Sequence, residues 1–259
     1  MKILLAPDKF KSSMTAAEVA RAIESGLRSA WSEKGKLSSV EFVHLPVADG
    51  GDGLLSALLP TLDGVSLEVP TTDALGKPIV ASIGWIESRK LAIIEMAEAS
   101  GLRLIETCER DPWRASSRGT GELMNFAIKR GAEEILLGIG GSATNDGGLG
   151  LATALGWSLI GPDGAPHCFE NANDLAEIKS LLPPESWVPP RVTVACDVVN
   201  PLLGPDGATR VYGPQKGISE DDFERHESRF EKLLSLLGPK ALEWSTTPGA
   251  GAAGGLGFG

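Results

Sequence analysis

The chain has 259 residues, 42% of them hydrophobic and 22% charged, with a formal net charge of −10. That balance supports a packed core rather than disorder, and the length favours two lobes over one compact domain. A negative surface without a basic stripe excludes nucleic acid and anionic membranes as partners. Cys108, Cys168 and Cys196 are odd in number and lack CxxC spacing, and His44, His167 and His226 lack metal-ligand spacing. A disulfide framework is therefore not expected. No stretch reads as a signal peptide or membrane span, so a cytoplasmic protein is expected.

Ile3 to Ala6 is a short apolar run, followed by a polar loop and a helix opening at Thr15 with Glu18 three residues on, the pattern of a capping box. Val19, Ile23, Leu27 and Trp31 recur every four residues and predict one buried stripe. Val40 to Val47 reads as a strand, closed by Ala48-Asp49-Gly50-Gly51-Asp52-Gly53, and Leu54 to Leu62 as a helix. Residues 65–69, 79–86 and 91–95 are short strands in an antiparallel or mixed sheet, with a lobe boundary near residue 70. A helix is expected over 122–130, ended by Gly131, then a strand over 134–139 and a glycine-rich helix start over 147–155. Trp157 to Ile160 predicts another strand and Val192 to Cys196 a buried one. A helix from Ser219 carries Phe223, Phe230, Leu234 and Leu237 and stops at Gly238-Pro239.

Four of these strands end in acidic or glycine-rich loops: Asp8, Asp49-Gly-Gly-Asp52, Gly140 to Gly148, and Asp197. In open α/β sheets ligands bind outside the carboxyl ends of the strands. One such Asp is ordinarily a turn former or helix cap; four together point to a site. In the loop Gly140-Gly141-Ser142-Ala143-Thr144-Asn145-Asp146, glycines allow amides to crowd an anion and three side chains can add donors. Gly138-x-Gly140-x-x-Ala143 also satisfies a dinucleotide fingerprint, but the next strand leads into Gly161-Pro162-Asp163-Gly164 rather than an acidic residue, so a nicotinamide oxidoreductase stands as the weaker alternative. No P-loop occurs.

Phosphoryl transfer needs positioning, charge neutralisation, Mg²⁺ on carboxylates and an Asp to orient the attacking hydroxyl. Asp49, Asp52 and Asp197 suit the carboxylate tasks and are the candidate metal ligands. Lys9, Lys11, Arg114, Arg118 and Lys216 supply cations from loops, and Arg118 suits a paired hydrogen bond to a substrate carboxylate.

Residues 6–13 (APDKFKSS), 47–53 (VADGGDG), 118–123 (RGTGEL), 138–148 (GIGGSATNDGG), 197–204 (DVVNPLLG) and 212–217 (YGPQKG) together resemble the bacterial class I glycerate kinases, in order and across nearly the whole chain. In the second motif Asp52 stands where that family more often has Glu. The resemblance implies an ATP- and Mg²⁺-dependent kinase phosphorylating D-glycerate, favouring the 2-hydroxyl, and leaves a homodimer open. It implies two α/β lobes with the site in the cleft between them, the second inserted into the first: residues 1–70, residues 71–245, and a glycine-rich return over 246–259. Asp49, Asp197 and Lys216 become the catalytic candidates; Asp8, Lys9, Lys11, Gly50, Gly51, Asp52, Arg118 and the 140–146 loop become the substrate- or phosphate-binding ones. The family continues past Gly259, so a truncated first lobe is expected, with an inactive fragment that only binds a ligand or partner as the rival reading.

Overall fold

A computed structural model describes residues 1–8, 10, 13–32, 40–48, 50–167, 175, 177–186 and 188–259. The first part is small. Strand β1 (Lys2–Leu5) lies parallel to β2 (Glu41–His44), with helix α1 (Ala16–Ser32) between them in sequence. The capping box forms as expected: the Thr15 amide donates to Glu18 Oε2 at 2.8 Å and the Glu18 amide to Thr15 Oγ1 at 3.3 Å. The stripe behaves differently. Val19 and Ala20 are buried, but Ile23 is 40% exposed, because a two-stranded sheet is too narrow to cover four helical turns. Trp31 stacks on Phe42 of β2 instead.

The larger part is a five-stranded mixed sheet in the order β10 (Arg191–Ala195), β6 (Glu134–Gly138), β5 (Leu91–Glu95), β4 (Pro78–Ile86), β3 (Val65–Thr72). β10, β6 and β5 run parallel; β4 is antiparallel to both of its neighbours. β5 alternates strictly. Ala92 and Ile94 face helix α3 (Arg118–Lys129) through Leu123 and Ala127, whereas Leu91 and Ile93 face helix α2 (Leu54–Leu58) through Leu54 and Leu55. This two-sided burial explains the uninterrupted apolar run, and each fully buried Ile or Leu contributes about 1.5–3 kcal/mol. Helix α4 (Leu149–Ala154) packs on α3, and a three-stranded antiparallel sheet of β7 (Ser158–Ile160), β8 (Pro166–His167) and β9 (Ser180–Leu182) follows. Helices α5 (Ala208–Lys216), α6 (Phe223–Leu237) and α7 (Pro239–Ser245) follow, and a short helical turn over Ala252–Gly255 ends the order.

Three expectations change. A boundary at residue 70 would cut β3, which pairs with β4 from Val65 to Thr72 without a break; the change of sheet falls between β2 and β3. The strand at 191–195 is not buried: among the described residues it is a sheet edge, with Val192 and Val194 each more than 40% exposed. Helix α3 begins at Arg118 rather than Glu122, since Gly119 and Gly121 are accepted where neighbours come too close for side chains. A β-carbon at Gly119 would lie 2.0 Å from the Thr72 carbonyl oxygen.

The glycine-rich segment over 246–259 docks on the larger part. Ala250, Ala252 and Leu256 are buried, and the Gly147 amide donates to the Gly254 carbonyl at 3.0 Å. A β-carbon at Gly254, where φ is +67°, would sit 1.9 Å from the Thr144 oxygen; one at Gly251 would sit 2.1 Å from the Pro201 oxygen. These glycines are needed because backbone meets backbone. Gly254→Ala is expected to lower stability by about 3 kcal/mol. Gly26→Ala, on an exposed helical turn with nothing within 4 Å, should raise it by ~0.5–1 kcal/mol. Urea denaturation of the two variants, read as midpoint shifts of opposite sign, checks this.

Candidate active site

The carboxyl ends of β6 and β10 meet the loop that enters α2, and glycine makes the meeting possible. Gly50 has φ +88°, and a β-carbon there would lie 2.5 Å from the Ala195 oxygen. A β-carbon at Gly138 would lie 2.5 Å from the Gly50 oxygen, and one at Gly140 would lie 2.6 Å from the Gly51 Cα. The Gly140 amide donates to the Gly50 carbonyl at 3.1 Å and locks the contact. Glu95, at the end of β5 and 4% exposed, fastens the same loop from below. Its carboxylate accepts from the Leu55 amide at 2.6 Å and the Gly53 amide at 3.1 Å. Burial raises its pKa, and the two amide bonds oppose that rise.

Over this junction lies a cavity of about 520 Å³, walled by Gly51, Asp52, Gly140, Gly141, Ser142 and Asp197, by Tyr212, Gln215 and Lys216 of α5, and by Ala252 and Ala253 of the docked terminal segment. Residues 212, 215 and 216 share a face because i, i+3 and i+4 meet on a helix. Lys216 is only 2% exposed. It ends a helix that runs through Pro214, rather than lying in the turn its Pro-Gln-Lys-Gly context suggested, and Gly217 at φ +100° closes that helix. Its Nζ donates to Ser142 Oγ and to the Thr144 carbonyl, both at 2.7 Å. Burial lowers the Lys216 pKa to about 7, against an opposing pull from the Asp146 charge. Two of its three ammonium protons are thus committed, and one is left for a ligand in the cavity.

The sequence candidates separate. Gly51, Asp52, Gly140, Gly141, Ser142, Asp197 and Lys216 come together. Gly50 is buried beneath them as packing. Ala143 joins an apolar cluster with Ala74, Ile105 and Ala115, and its amide is taken by the Ser100 carbonyl. Thr144 and Asn145 are fully buried, the latter donating to Thr209 Oγ1 at 3.1 Å. Asp146 also turns inward: its carboxylate accepts from the Ser117 amide and hydroxyl, both at 2.8 Å, and from the Gly148 and Gly150 amides at 3.2 Å. The 140–146 loop is therefore half wall and half anchor rather than a continuous amide cradle. Asp8 lines an adjoining cavity of about 340 Å³ that shares Asp52 with the main one. Asp52 also pairs with Arg103 at 3.3 Å. Arg118 lies elsewhere: it opens α3, donates to Glu122 at 3.0 Å and lines a separate cavity with Arg114. Lys9, Lys11 and Asp49 lie outside the described residues.

Sequence reasoning missed Glu95, Tyr212 and Gln215. An acid closing the wholly apolar run Leu91–Ile94 was a usable signal for Glu95. Helical spacing across 208–216 would have found the other two. Tyr212 donates to Asn200 Oδ1 at 2.6 Å, and its pKa is raised by burial and by the nearby Cys196 and Asp197. The dinucleotide fingerprint has a packing explanation, since Gly138 and Gly140 are filled against Gly50 and Gly51.

A mixed α/β scaffold with two carboxylates and one buried lysine around a glycine-walled cavity at strand ends defines an enzyme suited to handling anionic groups. The comparisons specify which. The model of the glycerate kinase family matches residues 3–259. A glycerate kinase of Bacillus subtilis is 42% identical over 100% of this chain and 67% of its own length. A glycerate 2-kinase of Escherichia coli is 42% identical over 99% of this chain and 67% of its own. The crystal structure of a protein assigned as glycerate kinase 2 from Salmonella typhimurium superposes with a TM-score of 0.85 at 38% identity, covering 100% of this chain and 68% of that one. The chain belongs to the glycerate kinase family and is of the kinase class. Among the described residues no helix is long and apolar enough to cross a membrane.

The depressed Lys216 pKa makes a prediction about stability. Between about 7 and 10.5 the unfolded chain holds a proton on this lysine that the folded chain has lost, so the parent protein gains stability as pH rises through that window. Lys216→Met has no such proton to lose. The stability difference between parent and variant should therefore move in the parent's favour from pH 7 to pH 10 and stay flat below pH 6.5. Guanidinium denaturation at four pH values checks it.

Proposed function

We propose that the chain transfers the terminal phosphoryl group of ATP to D-glycerate, at the 2-hydroxyl, to give 2-phosphoglycerate. The observation that carries this reading is Lys216. It is a buried amine fixed by Ser142 and Thr144 and facing a cavity that also holds Asp52 and Asp197. Two relatives carry the names glycerate kinase and glycerate 2-kinase, which supports the substrate and, in the second case, the position. The unpaired, exposed Cys108 and Cys196 agree with a reducing, cytoplasmic setting.

Each residue then has a task. Lys216 holds positive charge where the transferred phosphoryl oxygens gather, with no reorganisation needed because its ammonium is already anchored. Asp197, exposed to the cavity, orients the attacking hydroxyl and accepts its proton; Asp49 is the alternative for that role. Gly140 and Gly141 keep the wall free of side chains, so the phosphate chain can approach backbone. Mg²⁺ binds through one or two carboxylates with phosphate oxygens and water. Asp52 and Asp197 on one cavity fit that requirement, although among the described residues no group of three ligand side chains is gathered. When bound, the ion supplies charge neutralisation on the phosphates.

A coupled assay of ADP release with D-glycerate, with the product's phosphorylated carbon read by phosphorus NMR, tests the reading; absence of turnover, or product at the 3-hydroxyl, overturns the corresponding part. Asp197→Asn is expected to lower kcat by at least about 100-fold with a smaller change in KM. Affinity for a nucleotide triphosphate should fall as pH rises through about 7, where Lys216 loses its proton, and that dependence should vanish in Lys216→Met.

A further inference from the structure

The cavity beside α3 belongs to a different part of the molecule from the one just described. It measures about 510 Å³ and shares no lining residue with the main cavity. Its walls come from the turn after β3, the 114–118 segment entering α3, the end of α4 and the small sheet of β7 and β8. Three donor side chains stand out in this wall. Arg114, Arg118 and Trp157 all line it, and none of the three side chains has an acceptor atom. Glu122 takes only Nε of Arg118, which leaves both terminal amino groups of that guanidinium without a partner among the described residues. Arg114's guanidinium and Trp157's indole N–H likewise have no partner among them. His167 of β8 adds a further ring nitrogen. The one carboxylate in the lining, Asp73, accepts with Oδ1 from the Leu75 and Lys77 amides at 2.8 Å and closes its own turn.

An exposed arginine by itself is ordinarily a solvated charge. Two of them on one concavity, with an indole in the same lining and only Arg118 paired to a carboxylate, Glu122, gather donors in a chain of net charge −10. We infer that this cavity is a second site, separate from the active site, for a small phosphate-bearing acid. The guanidiniums would grip the phosphate in paired charge-assisted bonds, and the volume leaves room for a short organic body against Trp157. The α3 helix start is not the binding element, because the Ser117 and Arg118 amides are already taken by Asp146 and Ser116. The inference does not depend on the glycerate reading.

Calorimetric titration with 3-phosphoglycerate, inorganic phosphate and D-glycerate tests it, alongside Trp157 emission. The expected result is a 3-phosphoglycerate site weakened at least about tenfold in Arg114→Gln. Arg114 is exposed and has no partner among the described residues to lose on substitution, so little change in folding is expected. The emission change should disappear in Trp157→Phe, and Arg118→Lys, which retains its charge beside Glu122, should weaken binding less than Arg118→Gln. The site should persist in Lys216→Met. Binding unaffected by both Arg114→Gln and Arg118→Gln, or lost only in Lys216→Met, overturns the inference. D-glycerate competing as strongly as 3-phosphoglycerate overturns the requirement for phosphate.

Discussion

The active-site region rests on a contact in which side chains are forbidden. Gly50 and Gly51 lie directly on Gly138, Gly140 and Ala195, with hypothetical β-carbons 2.5–2.6 Å from backbone atoms. Because nothing intervenes, the loop that carries Asp52 is held at backbone distance from the ends of β6 and β10. A methyl group there would displace the loop by more than hydrogen-bonding precision tolerates. Glu95 and the Gly140–Gly50 hydrogen bond secure what the glycines permit.

The same device recurs on the other side of the cavity, where Gly254 and Gly255 meet Thr144 and Gly147. The terminal segment thereby becomes a wall, and Lys216 is sealed between it and Ser142. Desolvation of that amine follows directly from the seal. The chemistry proposed for the lysine and its lowered pKa are therefore two results of one packing arrangement, not separate features.

Much of this was legible in the sequence for reasons that can be named. The capping box at Thr15 and Glu18 is local hydrogen bonding and survived intact. The strands at 79–86 and 91–95 are set by apolar runs too long to leave in water. The strand-end loops announced a site because acidic and glycine residues accumulated where strands stop. What composition could not convey was direction. Asp146 and Asp197 look alike on paper, yet one accepts four hydrogen bonds inside the protein and the other faces the cavity. Arg118 looked like a substrate clamp beside its glycines, but those glycines serve helix contacts with Thr72 and Leu151. The burial of Lys216 was hidden because Pro214 suggested a turn, whereas the helix simply accommodates it. The docking of the terminal glycines was not legible locally, since their partners Thr144, Gly147 and Pro201 lie far away in sequence.

Asp146 joins two properties that natural variation ordinarily adjusts one at a time. Its carboxylate ties Ser117 to the start of α4 through four donors, and its charge also moderates the acidity of Lys216. A mutation at this position cannot trade robustness against reactivity, because it changes both together. Tuning the acidity of the lysine without disturbing the packing must therefore start from a residue other than this aspartate.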